Sequence, residues 1–185
     1  MKTESNVKYI LRLTVTLLLI TAIVAALLAV VNGATAPRIT KINEEKTQKA
    51  IEAVLEGSYK EELTEFDNQG GIVTNVYKGD NGYAVQVIPA GFDGEITMMV
   101  GIDNEGNVLG ISVINQTETA GLGAVCAASN SAGEAFRNQF IGKSGTLAVT
   151  KDGGEIEAIT SATITSRAVV DGVNAALACV ANLKG

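Results

Sequence analysis

The sequence of 185 residues contains no histidine and no tryptophan, and it has only two cysteines. Without histidine, the chain cannot build His-based metal sites, Ser-His or Cys-His catalytic pairs, or histidyl cofactor links. The cysteines, Cys126 and Cys179, are too far apart for a CxxC motif and too few to complete a zinc site. Both are expected to be buried as small apolar side chains. A disulfide between them is the alternative if the domain lies outside the cytoplasm.

Positive charge is also scarce, since 14 Lys and Arg residues stand against 20 Asp and Glu residues and leave a net charge of -6. Residues 1–36 carry a charge of +2, so the rest of the chain carries -8. An acidic domain repels the phosphate backbone of nucleic acids, and nucleic-acid binding is therefore excluded.

One long apolar run occupies residues 13–31, nineteen residues without a charge. A helix of that length spans the hydrocarbon core of a bilayer. Residues 1–36 are therefore predicted to be an N-terminal segment with a transmembrane helix. The positive-inside rule does not orient this helix, because basic residues lie on both sides of it.

A cleaved signal peptide is the alternative explanation of the apolar run, because basic residues precede it and Ala34-Thr35-Ala36 resembles a cleavage site. The run is longer than the roughly 7 to 15 apolar residues of a signal peptide, and Pro37 directly follows the candidate site. A retained, single-pass anchor in the cell membrane is favoured.

Residues 37–68 are predicted to form a helical connector. Apolar residues recur at near-helical spacing from Arg38 to Leu55, with charged residues on the other side, and Gly57-Ser58 is expected to end the helix. The acidic run that contains Glu61, Glu62 and Glu65 is interpreted as a loop or solvated surface. The remaining residues, 69–185, are assigned to one folded domain.

Four β-type segments open this domain, at residues 72–78, 83–89, 95–103 and 108–115. The intervening sequences GDNG, AGFDG and NEG are typical of hairpin turns. Connections this short cannot join parallel neighbours, so a four-stranded antiparallel meander is predicted.

The last third of the domain contains a glycine-rich stretch, the segment TLAV, a short apolar strand near residues 156–159 and a final helix. Apolar residues of this helix recur at steps of three and four, at Val169, Val173, Ala176, Val180 and Leu183. The predicted fold class is therefore α+β, with an antiparallel sheet and helices packed on one side of it.

Two segments are candidates for ligand binding. The hydroxyl-rich residues 160–166 precede the final helix, where free backbone N–H groups and the helix dipole favour an anion such as phosphate. A simple Ser/Thr helix cap is the alternative. The second segment, residues 118–123, follows the last strand, and its two glycines indicate a tight turn that a planar ligand can approach.

The two segments, TETAGLG and EAITSATITSRAVVDGVNAAL, occur together behind one membrane anchor. The combination resembles the FMN-binding domain of the G subunit of the Rnf electron-transport complex. The C subunit of the sodium-translocating NADH:quinone reductase shares this domain. In this family FMN is attached by a phosphoester bond to a threonine within the pattern S/T-G-A-T, which is Thr160-Ser161-Ala162-Thr163 here.

The resemblance implies that Thr163 carries the flavin and that Thr165 and Ser166 are its hydroxyl neighbours near the phosphate. It also implies two sets of cofactor-binding residues. On the flavin side these are Glu118, Thr119, Gly121, Leu122 and Gly123, and around the attachment point they are Thr160, Ser161, Ala162, Ile164 and Thr165.

Three positions depart from the family pattern. Ala120 replaces a proline, Ser161 a glycine and Glu157 an aspartate. Ser161 is the most consequential departure, because its Cβ is costly if this position requires a positive φ.

No internal base is evident that could activate the Thr163 hydroxyl, so attachment needs a separate enzyme. The resemblance implies a flavin transferase that uses FAD as donor with a divalent metal. No GxGxxG motif follows a strand, so the chain itself is not expected to bind NAD.

The resemblance implies an electron-transfer subunit of a membrane complex that couples ferredoxin:NAD electron transfer to sodium or proton translocation. Its partners are then the other membrane and peripheral subunits, and its FMN domain faces the extracytoplasmic side. No turnover is expected from the isolated chain. The alternatives are the C-type quinone-reductase subunit, another extracytoplasmic FMN carrier, or, in a different class, a membrane-tethered binding or assembly module without a cofactor.

Overall fold

The computed structural model of the protein describes residues 2–55, 59 and 61–184, and it describes side chains from residue 7 onward. The chain divides into two compact units, Met1–Glu45 and Lys46–Gly185. The predicted end of the connector helix at Gly57-Ser58 lies outside the described residues.

A single helix, α1 (Lys2–Val54), contains the predicted membrane segment at residues 13–31. It is long and apolar enough to cross a membrane, and its side chains from Val7 through Lys46 are exposed. The hydroxyls of Thr14 and Thr16 donate to backbone carbonyls one turn earlier, at 3.0 and 2.7 Å, which satisfies them inside the helix. The predicted connector begins at Pro37, which lies inside α1, and its residues as far as Val54 belong to this same helix.

Five antiparallel strands form the sheet of the second unit, in the order β1-β2-β3-β4-β5. Their bounds are β1 (Glu61–Leu63), β2 (Val73–Lys78), β3 (Gly82–Val87), β4 (Thr97–Asp103) and β5 (Val108–Asn115). The four-stranded meander predicted from the sequence is confirmed as β2 to β5.

The acidic run after α1 was interpreted as a loop or solvated surface. Residues 61–63 form a strand rather than a loop, and Glu61 and Glu62 are exposed on it. Glu62 pairs with Tyr77 and Leu63 with Val76, so β1 is an edge strand. Three residues, two of them charged, carry too little alternation to signal a strand. An edge position accepts them because charges discourage pairing with a second sheet.

The helices α2 (Ser131–Asn138) and α3 (Thr163–Lys184) complete the domain. The predicted stripe of α3 is buried at Val169, Val173, Ala176 and Val180. It packs on the sheet face formed by Val76, Val85, Val100 and Ile111, which pair across β2 to β5. The antiparallel α+β fold class is thus confirmed.

The strand predicted at residues 156–159 is wrong. Ile156 forms only an isolated parallel bridge with Val149, which is the last residue of the TLAV segment. Both side chains are buried in the main core, so their apolar character reflects core packing rather than strand pairing.

The last turns of α1 cover the other face of the sheet. Ala50, Ile51, Val54 and Leu55 are buried there with Tyr77, Ala84 and Met99. The approach is close at Gly101, where an added Cβ would lie 2.4 Å from the Val54 carbonyl oxygen. The helices predicted to pack on one side of the sheet are α2 and α3. The end of α1 packs on the opposite side, which was not predicted.

The two cysteines are free and buried, as expected for small apolar side chains. Burial raises the pKa of each thiol to about 11. Both therefore remain protonated and unreactive at neutral pH.

Gly101→Ala should destabilise the domain by about 1–3 kcal/mol, because the new methyl group forces the end of α1 away from the sheet. The control is Gly110→Ala on the neighbouring strand. Gly110 pairs with Gly101, but its added Cβ would meet nothing within 4 Å. Thermal unfolding of the full chain in detergent measures both variants, and equal melting temperatures would contradict the close approach of α1.

Candidate functional site

A cavity of about 320 Å³ lies where the start of α3 meets two loops, one between β3 and β4 and one after β5. This volume is at the lower end of the range of small-molecule sites, which is about 300–1,000 Å³. The lining residues are Phe92, Glu118, Thr119, Leu122, Gly123, Ser161, Ala162, Thr163, Ile164 and Thr165.

Nearly all of the residues predicted to bind the cofactor line this one cavity. The two exceptions are Gly121 and Thr160, which line a separate groove of about 470 Å³ against α2. The fold thus brings the two predicted segments together from opposite ends of the domain sequence. Gly121 contributes to the turn instead, with a φ of +76°.

Two buried hydroxyls fasten the start of α3 to its surroundings. Ser166 Oγ donates to the Ala162 carbonyl and accepts from the Ile159 N–H, each at 2.9 Å. Thr165 Oγ1 donates to Glu118 Oε2 at 2.5 Å. Because their donors are already used within the protein, these hydroxyls position the segment.

Thr163 is the first residue of α3 and is half-buried in the cavity wall. The backbone N–H groups of a helix's first turn have no partner within the helix, so they favour an anion at this place. Lys151 Nζ also donates to Thr163 Oγ1 at 3.0 Å. Thr163 therefore combines a place in the cavity, a helix start and a neighbouring cation.

Lys151 was missed by sequence reasoning, and it lies on the 3₁₀ turn Thr150–Asp152. Asp152 joins this turn to α3 through two bonds from Arg167, at 2.7 and 2.6 Å. These bonds lower the pKa of the Asp152 carboxyl and raise the pKa of Arg167. Because the pair is solvent-exposed, it adds little to the stability of the fold. Its main effect is to fix the position of the turn relative to α3. No local pattern could signal a contact formed between separate segments.

Glu118 is the buried charge of the site, with 7% of its surface exposed. Its Oε1 accepts from the backbone N–H groups of Phe92 at 2.8 Å and Asp93 at 3.1 Å. With the bond from Thr165, this carboxylate connects the β3–β4 loop, the loop after β5 and α3.

Two glycines make room for the Glu118 carboxylate. A Cβ on Gly91 would lie 2.3 Å from Oε1, and one on Gly123 would lie 2.4 Å from Oε2. The predicted tight turn is confirmed, since the Leu122 N–H donates to the Thr119 carbonyl at 3.1 Å. The glycine pattern thus has a steric cause that the sequence alone does not reveal.

Arg137 of α2 is a second residue that sequence reasoning missed. Its side chain is bonded to the loop after β5. Its Nη1 donates to the carbonyls of Cys126 at 2.8 Å and Ala128 at 3.0 Å. These bonds tie the 3₁₀ helix Gly123–Ala127 to α2. The loop that carries Leu122 is therefore held on the helical framework.

The mouth of the cavity is apolar and exposed. Phe92 is 66% exposed, Ile164 50% and Leu122 41%. Phe92 was also missed, because a phenylalanine within a predicted hairpin turn carries no signal of its position beside α3. These side chains offer an apolar rim to a planar ligand.

Ser161 adopts a φ of +61°, which confirms the steric concern raised by its replacement of glycine. A left-handed conformation costs a residue with a Cβ about 1–2 kcal/mol. The strained residue lies directly in the cavity wall.

Ser161→Gly should therefore stabilise the domain by up to about 1 kcal/mol, the strain relieved less the backbone entropy that glycine loses on folding. Ser161→Ala is the matched control, since it removes the hydroxyl but keeps the Cβ. Denaturant unfolding of both variants tests this. A gain for alanine equal to that for glycine would assign the effect to the hydroxyl instead.

Comparison with known proteins places this geometry in a family. Residues 91–178 match the FMN-binding domain family, a range that holds the whole cavity. The G subunit of the ion-translocating oxidoreductase complex from Methanosarcina acetivorans is 32% identical, over 98% of this chain and all of the relative. The G subunit of the sodium-translocating ferredoxin:NAD oxidoreductase complex from Acetobacterium woodii is also 32% identical, over 98% of this chain and 97% of the relative.

A shorter match, to the G subunit of the proton-translocating ferredoxin:NAD oxidoreductase complex from Clostridium ljungdahlii, is 37% identical over 56% of this chain and 55% of the relative. The resemblance noted from the two sequence motifs is thereby confirmed along nearly the full chain. The chain belongs to the family of G subunits of Rnf-type ion-translocating oxidoreductase complexes, with an FMN-binding domain.

Proposed function

We propose that this chain is an electron-transfer subunit whose FMN is attached through a phosphoester bond to Thr163. Family membership gives the coarser role, electron transfer in an ion-translocating oxidoreductase. The observation that carries the covalent attachment is the place of the Thr163 hydroxyl. It lies at the start of α3, in the wall of the cavity and within reach of the Lys151 ammonium.

The cavity fits the parts of FMN in a consistent order. The apolar rim of Phe92, Leu122 and Ile164 suits a flat ring system, and the first turn of α3 suits a phosphate. Gly123 also lines the cavity, and the absence of a side chain there leaves room for Glu118 and Thr165, which hold the cavity walls together.

The residues of the proposed site have different roles in holding the cofactor. Thr163 would hold FMN through an ester bond from its Oγ1 to the phosphate. Glu118 has its oxygens engaged by protein donors and orients the loops that carry Phe92 and Leu122. Bound FMN supplies one- and two-electron chemistry that the side chains here do not provide.

Formation of the ester requires a catalyst from outside the chain. The carboxylate in the cavity wall, Glu118, accepts a bond from Thr165, and the group beside Thr163 is a lysine ammonium rather than a base. A separate flavin transferase is therefore proposed as a maturation partner, with FAD as the donor and a divalent metal.

The proposed complex transfers electrons between ferredoxin and NAD and couples the transfer to sodium or proton movement. This proposal is supported by the names of the relatives from Acetobacterium woodii and Clostridium ljungdahlii. The partners are then the other membrane and peripheral subunits. We further propose that α1 crosses the cell membrane once and that the FMN domain is extracytoplasmic.

Thr163→Val should abolish flavin attachment, because it removes the bridging oxygen while keeping a side chain of similar shape. The full chain is produced together with its flavin transferase, and the tryptic fragment 152–167, which contains five hydroxyls, is examined by mass spectrometry. The unmutated fragment should gain the mass of FMN minus water at Thr163.

The matched control is Thr160→Val, which changes an exposed hydroxyl that lies outside the cavity wall. It should leave the modification intact. Modification that persists in Thr163→Val would move the attachment site, and an unmodified native chain beside an active transferase would refute the covalent flavin.

The orientation is tested with a membrane-impermeant maleimide on intact cells. Glu105→Cys places a thiol on the exposed turn between β4 and β5, whereas both native cysteines are buried. We expect Glu105→Cys to be labelled without lysis, and Ser5→Cys, on the other side of the apolar run, only after lysis. The reverse pattern would place the domain in the cytoplasm.

A further inference from the structure

We propose that Lys151 is the phosphate-positioning residue of the attachment site, pairing with the phosphoryl group while the ester forms and afterwards. This inference rests on the proposed attachment of FMN to Thr163 and assigns a role to a residue outside both family-like segments. It starts from one contact, the bond from Lys151 Nζ to Thr163 Oγ1 at 3.0 Å.

The contact belongs to a turn that is held in place at several points. The Thr150 N–H donates to the Ile156 carbonyl at 2.9 Å, and the turn ends at Gly153 with a φ of +83°. Gly154 packs so closely that an added Cβ would lie 2.0 Å from the Ala148 carbonyl oxygen. The fold therefore presents Lys151 over the first turn of α3.

The charges around this turn favour Lys151 over its neighbour Arg167 as the partner of an anion. Both guanidinium bonds of Arg167 go to the Asp152 carboxylate. Lys151 instead directs its ammonium to the uncharged Thr163 hydroxyl. An ammonium has three donors, so a bond to Thr163 leaves others for phosphoryl oxygens.

Attachment changes the charge at this point. A bond forms between Thr163 Oγ1 and the phosphorus of the FMN portion, and the pyrophosphate P–O bond of FAD breaks. AMP leaves with the bonding electrons, and the hydroxyl proton passes to a base of the transferase. The product is a phosphodiester with one negative charge, placed in a domain whose net charge is already strongly negative. A cation held beside the ester offsets this cost.

The first test is the rate of flavin transfer to the full-length chain in detergent, with purified transferase and FAD. Lys151→Met should lower kcat/KM for this protein substrate about tenfold, as expected for loss of a charge-assisted bond to the reacting group. Lys151→Arg should restore most of the rate. Lys143→Met is the matched control, because Lys143 pairs with Glu155 and carries the same charge. Equal rates for Lys151→Met and Lys143→Met overturn the proposal.

The second test uses the protein after attachment and needs no variant at Lys151. A small acylating reagent is applied at fixed pH to the flavinylated chain and to Thr163→Val, and acylation of each lysine is followed by mass spectrometry. An adjacent phosphodiester engages the ammonium in charge-assisted hydrogen bonds, so Lys151 should react about fivefold more slowly in the flavinylated chain. Added salt should weaken this protection if it is electrostatic, because salt screens charges. Steric shielding of Lys151 by the attached flavin would not change with salt.

Lys143 should react equally in both proteins. Protection of Lys151 that is absent, or that salt leaves unchanged, overturns the inference. The proposed function fails by a different observation, namely a native chain that gains no flavin at Thr163. The two failures are therefore distinguishable.

Discussion

The buried carboxylate of Glu118 is the constraint on which the rest of the site depends. A carboxylate removed from water is tolerated only when donors surround it. Here they come from the Phe92 and Asp93 N–H groups and from Thr165. Each donor belongs to a different stretch of sequence from Glu118 itself, so satisfying one charge brings the loops and the helix start together. The cavity is the space left between them.

Close packing on both faces of the sheet supports this arrangement. On one face α3 approaches at Gly172, where a Cβ would lie 2.4 Å from the Met98 side chain. On the other face α1 approaches at Gly101. Most residues of β3 and β4 are buried between the two helices, so these strands form a rigid base for the loops at their ends. The candidate site thus lies on loops that a packed framework holds in place.

Much of this framework could be predicted from the sequence. Strands β2 to β5 carry β-branched runs between glycine-rich turns, and α3 carries an apolar stripe with helical spacing. The short edge strand at Glu61–Leu63 could not be predicted, because its pairing with β2 and not its composition makes it a strand. Lys151 and Phe92 were missed for the same kind of reason. Their contacts join segments far apart in sequence, and only the folded chain brings these together.

The packing of the end of α1 against the sheet affects how the domain folds during synthesis and how it withstands proteolysis. Ile51 and Val54 leave the ribosome before the strands that cover them, so this apolar surface stays open until β3 and β4 have formed. The same contacts limit where a protease can cut α1 without exposing the sheet. A cut before Ala50 frees a domain with both faces of its sheet covered, whereas a cut after Val54 strips one face and leaves Met99 and Ala84 in water.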